Sequence, residues 1–203
     1  LGGCDFERGE TMKLLWGMCG SFCNHAAVIE QLQDMVQRWP ITMIVSENTA
    51  QLDTRFGPAC ERMELLETLS TRPVMTTLQE AERTGPIDHF DAMIIAPITA
   101  TELNKLTLGI YDTPITLAAK ALLRNQKPLV LGIASNDFLG LSGVNLLRLK
   151  QLRHIFFVPF GQDDYVHKPN SLVSDWKQIE AALCAALEDR QLQPLLLEGK
   201  GSQ

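Results

Sequence analysis

Several absences narrow the reading of this chain before any motif is considered. No block of lysine or arginine stands out, and 18 basic residues face 24 acidic ones for a net charge of -6. A nucleic-acid partner, which needs a basic stripe or patch, is therefore not expected. No apolar run approaches the roughly 18 residues of a membrane span, so no membrane partner is expected either. The cysteines Cys4, Cys19, Cys23, Cys60 and Cys184 are odd in number and lack framework spacing. That suits a reducing cytosol rather than a disulfide scaffold. There is no internal repeat and no linker-like stretch.

What is present fits one well-buried domain. The chain has 203 residues, 45% hydrophobic and 21% charged, ordinary proportions for a globular protein. Residues 1–12 read as an N-terminal extension. Leu1-Gly2-Gly3-Cys4 has the form of a lipoprotein cleavage box, but no basic and apolar leader precedes it, and Met12 is a candidate start. Residues 13–190 read as a single domain and 191–203 as a tail. The tail is apolar at Leu195-Leu196-Leu197 and is expected to dock on its own domain or on a neighbour.

Lys13 to Met18, Ile41 to Val45, Ala92 to Ala96, Leu129 to Ile133 and His154 to Val158 predict strands. Pro73 to Thr76 predicts a short further one. Helical spacing of apolar residues predicts helices to about Arg38, over Pro58 to about Ser70, Pro114 to Asn125, Ser142 to Gln151 and Ser171 to about Arg190. Ser46 to Gly57 reads as a polar loop. This alternation is α/β and argues for a doubly wound parallel sheet with helices on both faces.

Ligands of such folds bind at the carboxyl edge of the sheet, and the polar strand exits fall there. Gly17-Met18-Cys19-Gly20-Ser21 joins the first strand to the first helix. Its glycines permit close backbone approach to a phosphate, and Ser21 could cap the helix or bond that phosphate; a plain tight turn explains the spacing equally well. Ala96-Pro97-Ile98-Thr99-Ala100-Thr101-Glu102 forms a polar shelf after the third strand. Gly132 to Asp137 and Phe160 to Asp164 leave two more strands and could bond a heterocycle's edge or be turn chemistry. Arg55 is a candidate clamp for a carboxylate or phosphate, against a solvated surface arginine. Cys19, Cys23 and His25 lack a second ligand pair, so no metal is expected. Asp137, Asp163 and Asp164 read as solvated loop carboxylates. No Ser/His/Asp set can be assembled from spacing.

Taken in order, these segments resemble a known family. The residues that carry the resemblance are Asp53-Thr54-Arg55-Phe56-Gly57, Ile95-Ala96-Pro97, Lys105-Leu106, Asp112-Thr113-Pro114, Ala118-Ala119-Lys120 and Arg124-Asn125. They continue with Val130-Leu131-Gly132-Ile133, Ser135-Asn136-Asp137, the run Ile155 to Asp164, Lys168-Pro169-Asn170-Ser171 and Gln191-Leu192-Gln193-Pro194. The chain is similar, over roughly residues 13–198, to the flavoprotein family that includes the flavin-containing cysteine decarboxylases and the flavin prenyltransferases.

The resemblance implies a Rossmann-like domain that assembles into trimers or larger oligomers and binds FMN. Gly17, Gly20, Ser21 and Ser46 would hold the phosphate and ribityl chain. Pro97, Thr99, Ala134, Ser135 and Asn136 would flank the ring. The cysteine decarboxylases carry Pro-Ala-Ser-Ala-Asn-Thr at the shelf, and that Asn positions a substrate carboxylate. By register, Thr101 and Glu102 stand in place of Asn and Thr here. Glu102 also adds negative charge where a carboxylate would sit. His89 is too close to Asp91 to be the decarboxylases' histidine. FMN-dependent decarboxylation is therefore disfavoured.

The resemblance points instead to a branch acting in the mother-cell cytoplasm of spore-forming bacteria. There the chain would be one subunit of an oxidoreductase beside an NADP-dependent A subunit. The pair would aromatise a dihydro- or hydroxytetrahydro-dicarboxylate. Glu102 is the candidate catalytic residue, and Arg55, Lys105 and Lys120 are candidates to balance the substrate's two carboxylates. The alternative is a non-catalytic partner that positions the A subunit.

Overall fold

The computed structural model describes residues 12–199. The expected extension, Met12 excepted, and the last residues of the expected tail lie outside the described residues. Five strands form the parallel part of one sheet: β1 (Leu14–Met18), β2 (Ile41–Val45), β3 (Ala92–Ile98), β4 (Leu129–Ser135) and β5 (Ile155–Phe157). Their order is β2-β1-β3-β4-β5, every pair parallel. These strands read as nearly unbroken apolar runs because helices cover both faces.

The period-2 alternation of a strand divides the core in two. Leu15, Met93, Ile95, Leu129 and Leu131 face one side, against α5 (Ala100–Thr107), α6 (Pro114–Arg124) and α7 (Gly143–Lys150). Leu14, Trp16, Ala92, Ile94 and Val130 face the other, against α1 (His25–Met35), α3 (Ala59–Leu69) and α8 (Ile179–Leu187). The expected doubly wound α/β architecture is therefore observed. The chain leaves β1 for β2 on one side and then crosses to β3 on the other. The crevice at the carboxyl ends of β1 and β3 is thus the topological switch point, where folds of this kind place ligands.

Three local expectations are corrected. Ser46 to Gly57 is not all loop: Ser46 caps a short α2 (Glu47–Gln51), its hydroxyl accepting the Thr49 N–H. A short α4 (Leu78–Glu82), held by a Thr77/Glu80 capping box, also went unpredicted. The helix expected from Ser171 starts later. Leu172–Ser174 is instead strand β7, antiparallel to the end of β4 and to β6 (Phe160–Gly161). The buried hydroxyl of Ser174 explains the strand: it accepts the Ile133 N–H at 2.9 Å and donates to the Val158 carbonyl at 3.2 Å. It thereby bridges β4 and Val158, the residue that follows β5. Asp175 then starts a 3-10 turn, Trp176–Gln178, which leads into α8. Pro73 to Thr76 forms only an isolated bridge, Met75 to Ile44.

The tail docks on its own domain. Phe160 donates its N–H to the Leu195 carbonyl at 3.0 Å and accepts from Leu197 at 2.9 Å. The Gln191 amide accepts from Phe157 N–H at 2.9 Å and donates to Phe157 carbonyl at 2.7 Å, bonding β5 as a neighbouring strand would.

Candidate functional site

The switch-point crevice is drawn together by backbone. The Ala96–Pro97 peptide bond is cis. Cys19 donates its N–H to the Pro97 carbonyl at 3.1 Å, and Ser46 donates its own to Met18 at 3.1 Å. The exits of β1, β2 and β3 therefore sit side by side.

At the β1 and β2 exits the donors suit an anion. Neither the 3-10 turn Phe22–Asn24 nor α1 has a side-chain cap; the Asn24 and His25 amides are spent on the Ser21 and Phe22 carbonyls, which leaves those of Phe22 and Cys23 without a cap. Ser21 does not cap; its hydroxyl accepts from Asn24 Nδ2 at 3.0 Å. Ser46 is buried, 3.0 Å from the Thr49 hydroxyl, which donates on to the Met18 carbonyl at 3.2 Å. Gly20 packs closely, since a Cβ there would lie 3.3 Å from Asn48 Cβ and 3.4 Å from the Phe22 ring. Gly17 does not open onto the crevice. It lies within β1, where a Cβ would meet Ile115 at 3.1 Å and Met93 at 3.2 Å. Its missing side chain is a packing requirement.

Two buried groups stand behind this cradle: Arg62, to which the sequence did not point, and His25, which it offered only as a metal ligand lacking a second pair. Arg62 donates to the Thr49 and Leu52 carbonyls at 2.9 and 2.7 Å and lies over the Phe22 ring at 4.9 Å. His25 is buried with Nε2 2.8 Å from the Cys19 carbonyl, and burial holds its proton affinity below the usual histidine range. Cys23 is exposed. Among the described residues no three His, Cys, Asp or Glu side chains converge as metal ligands.

The shelf is built on helix caps. Thr99 caps α5, its hydroxyl accepting the Glu102 N–H at 3.4 Å. Thr113 caps α6 in a reciprocal box with Thr116, behind Pro114 in the first turn. Glu102 links the two helices. It is only 7% exposed, and its Oε2 accepts from the Thr113 hydroxyl at 2.8 Å. Burial raises its carboxyl above the usual range, against the opposing pull of Thr113 and Lys105. The carboxylate in turn helps raise the wholly buried Cys19 thiol, after burial itself. The Thr113-x-x-Thr116 spacing was the available sequence signal for this partner.

The β4 exit forms the other wall. Ala134 is buried, Ser135 accepts the Asp137 N–H at 3.2 Å, and Asn136 is exposed. Asp137 accepts from the Ser142 hydroxyl, which accepts from Asn104 of α5 at 2.9 Å. That chain ties the wall to the shelf helix.

The three candidate cations are not gathered in one place. Lys105 pairs with Asp112 at 2.9 Å. Lys120 lies exposed on α6, its Nζ 5.0 Å from the Tyr111 ring centroid. Arg55 lies exposed over the Phe56 ring, in the turn closed by Thr54 and Gly57.

Comparison with known proteins agrees with this geometry. Residues 7–187 match the model of the family described as Flavoprotein. The B subunit of dipicolinate synthase from Bacillus subtilis (strain 168) is 40% identical over 184 residues, 90% of this chain and 92% of that one. The crystal structure of the corresponding B subunit from Bacillus halodurans superposes with a TM-score of 0.85 at 36% identity, covering 93% of this chain and 97% of the other. The FMN-dependent cysteine decarboxylase SpaF shares the fold, with a TM-score of 0.61 at 21% identity over 87% of this chain and 95% of its own. The expected resemblance holds, and the chain belongs to the flavoprotein family, alongside the B subunits of dipicolinate synthase.

Proposed function

We propose that this chain acts as the B subunit of dipicolinate synthase. With an NADP-dependent A subunit it forms dipicolinate from a dihydro- or hydroxytetrahydro-dipicolinate precursor, in the mother cell of a sporulating bacterium. The observation that carries the chemical part is Glu102: a buried carboxyl of raised proton affinity, aimed at a hydroxyl and set at the sheet edge beside the switch point.

Aromatising a dihydro ring removes two hydrogens, one as a proton and one with its electron pair. Glu102 takes the proton. A carboxylate that binds its proton more tightly than usual is a better base for this step. Thr113 holds the carboxylate and Thr99 fixes the helix that carries it. FMN, when bound, supplies a two-electron acceptor. The cradle suits its phosphate: the uncapped amides of Phe22 and Cys23 and the Ser21 hydroxyl, which accepts from Asn24 and can still donate, are donors for an anion, while the buried Ser46 and Thr49 hydroxyls brace the β2 exit behind them. Pro97, Thr99, Ala134, Ser135 and Asn136 would line the ring.

A second reading is a non-catalytic partner that positions the A subunit. The exposed apolar side chains Leu139, Leu141, Val144 and Leu147 on and before α7 favour it, since clustered apolar exposure marks protein contacts. The same face would equally serve a homo-oligomer. The purified chain should take up FMN and turn yellow, and A-subunit turnover should rise when it is added. A colourless chain that still raises turnover supports the partner reading. If the A subunit alone is fully active, the catalytic reading fails.

A further inference from the structure

Away from the switch-point crevice, α6 carries a second feature. A half-open cavity of about 350 Å³ lies between α4, the turn after it and the outer face of α6. Glu82, Pro86, Leu117, Lys120, Ala121 and Arg124 line it. Gly85 lets the turn close on the helix: a Cβ there would stand 3.1 Å from Ala121 Cβ and 3.3 Å from the Arg124 guanidinium. Asn125 fastens the same turn, donating to the Gly85 carbonyl at 3.4 Å.

Lys120 and Arg124 stand one helical turn apart on the same face. Like charges at that spacing disfavour a helix. Among the described residues neither has a carboxylate within ion-pair distance, whereas Lys105 pairs with Asp112 and Lys127 with Asp91. Tyr111 supports Lys120 from below. Pro86, Leu117 and Ala121 supply an apolar wall, and Glu82 adds one acceptor.

We propose that this cavity binds a small dicarboxylate built on a flat apolar ring. One carboxylate meets Lys120 and the other Arg124, whose fork suits a bidentate contact. The ring lies on Leu117 and Ala121. Two cations one helical turn apart on one wall of the cavity offer a separate partner to each of two carboxylates on a single ring. The proposal rests on the dipicolinate synthase reading for its choice of probe alone.

Calorimetric titration of the full chain with pyridine-2,6-dicarboxylate tests it. Lys120→Gln and Arg124→Gln should each weaken binding about ten-fold, the loss of one charge-assisted hydrogen bond. Pyridine-2-carboxylate and inorganic phosphate should bind the unmodified chain about ten-fold more weakly than the dicarboxylate, for the same reason. Both residues are exposed, and circular dichroism checks that the variants fold. Equal binding of phosphate would overturn the proposal, as would wild-type affinity in both variants or no heat at millimolar ligand. If Glu102→Gln alone abolished binding, the dicarboxylate would belong to the shelf: the cavity proposal would fail and the proposed function stand. If the cavity results held while the chain neither took up FMN nor raised A-subunit turnover, the proposed function would fail alone.

Discussion

Inside the core, the indole N–H of Trp16 donates to the carbonyl oxygen of Ala96 at 3.0 Å. Trp16 is wholly buried, and Ala96 is the residue before the cis Pro97. This bond ties the middle of β1 to the last step before the shelf. Trp16→Phe removes ring volume and leaves a buried carbonyl unpaired. It should cost about 2–4 kcal/mol, read from the midpoint of a urea transition. A cost below about 0.5 kcal/mol would mean that the carbonyl finds another donor.

Gly132 in β4 lies under Trp176. A Cβ at this position would stand 2.9 Å from the indole and 3.0 Å from Ala96 Cβ. Both neighbours are buried, so neither can move aside freely. Gly132→Ala should destabilise the fold by about 1–3 kcal/mol through overpacking, with a matching fall in melting temperature.

Glu102 gives a pH signature with a definite sign. Its carboxyl is raised by burial, so the folded chain holds the proton more tightly than the unfolded one. The corresponding stability is fully present below the ordinary carboxylate range and is lost as pH rises through the raised value. Glu102→Gln keeps an acceptor for Thr113 without the charge. The melting-temperature difference, variant minus wild type, should therefore grow between about pH 4 and pH 8. A difference that stays flat or shrinks would count against a buried ionisable Glu102.

Glu180 behaves in the opposite way. It accepts both nitrogens of the Arg38 fork, at 2.9 and 2.6 Å, and the Trp39 indole at 3.0 Å. The Arg38 bond leads in holding its carboxyl below the usual range. The stability it contributes is present above the ordinary carboxylate range and is lost as pH falls through the depressed value. Arg38 is largely exposed, so the contribution is less than about 1 kcal/mol. Glu180→Gln should lower the melting temperature at pH 7, less so in high salt, and the gap should close on acidification.

How far the sequence could be read depended on what each segment touches. Leu14–Met18, Ala92–Ile98 and Leu129–Ser135 are buried on both faces, and continuous apolar runs declare themselves. Leu172–Ser174 did not, because its apolar residues also fit the periodicity of the helix that follows. Only the Ser174 bonds to Ile133 and Val158, which need the fold to exist first, decide for a strand. The same limit applies to the site. Thr99 and Glu102 could be placed on a polar shelf from the strand exit before them, whereas Ser46 was named by the resemblance alone. Gly17 looked like a phosphate glycine, but its special need is room for Ile115. Arg62 drew no reading from the sequence, because nothing in its own helix shows that Phe22 and two carbonyls lie beside it.

The bond between Gln191 and Phe157 has a consequence for solubility. Strand β5 ends the parallel series, and a terminal strand with unspent amides is a template for another molecule's strand. Here one glutamine side chain occupies the template at Phe157. A chain cut before residue 191 would lose Leu192 and Leu195 from the rims of the two core clusters and, with them, that guard. Its characteristic failure would be slow growth of strand-paired aggregates.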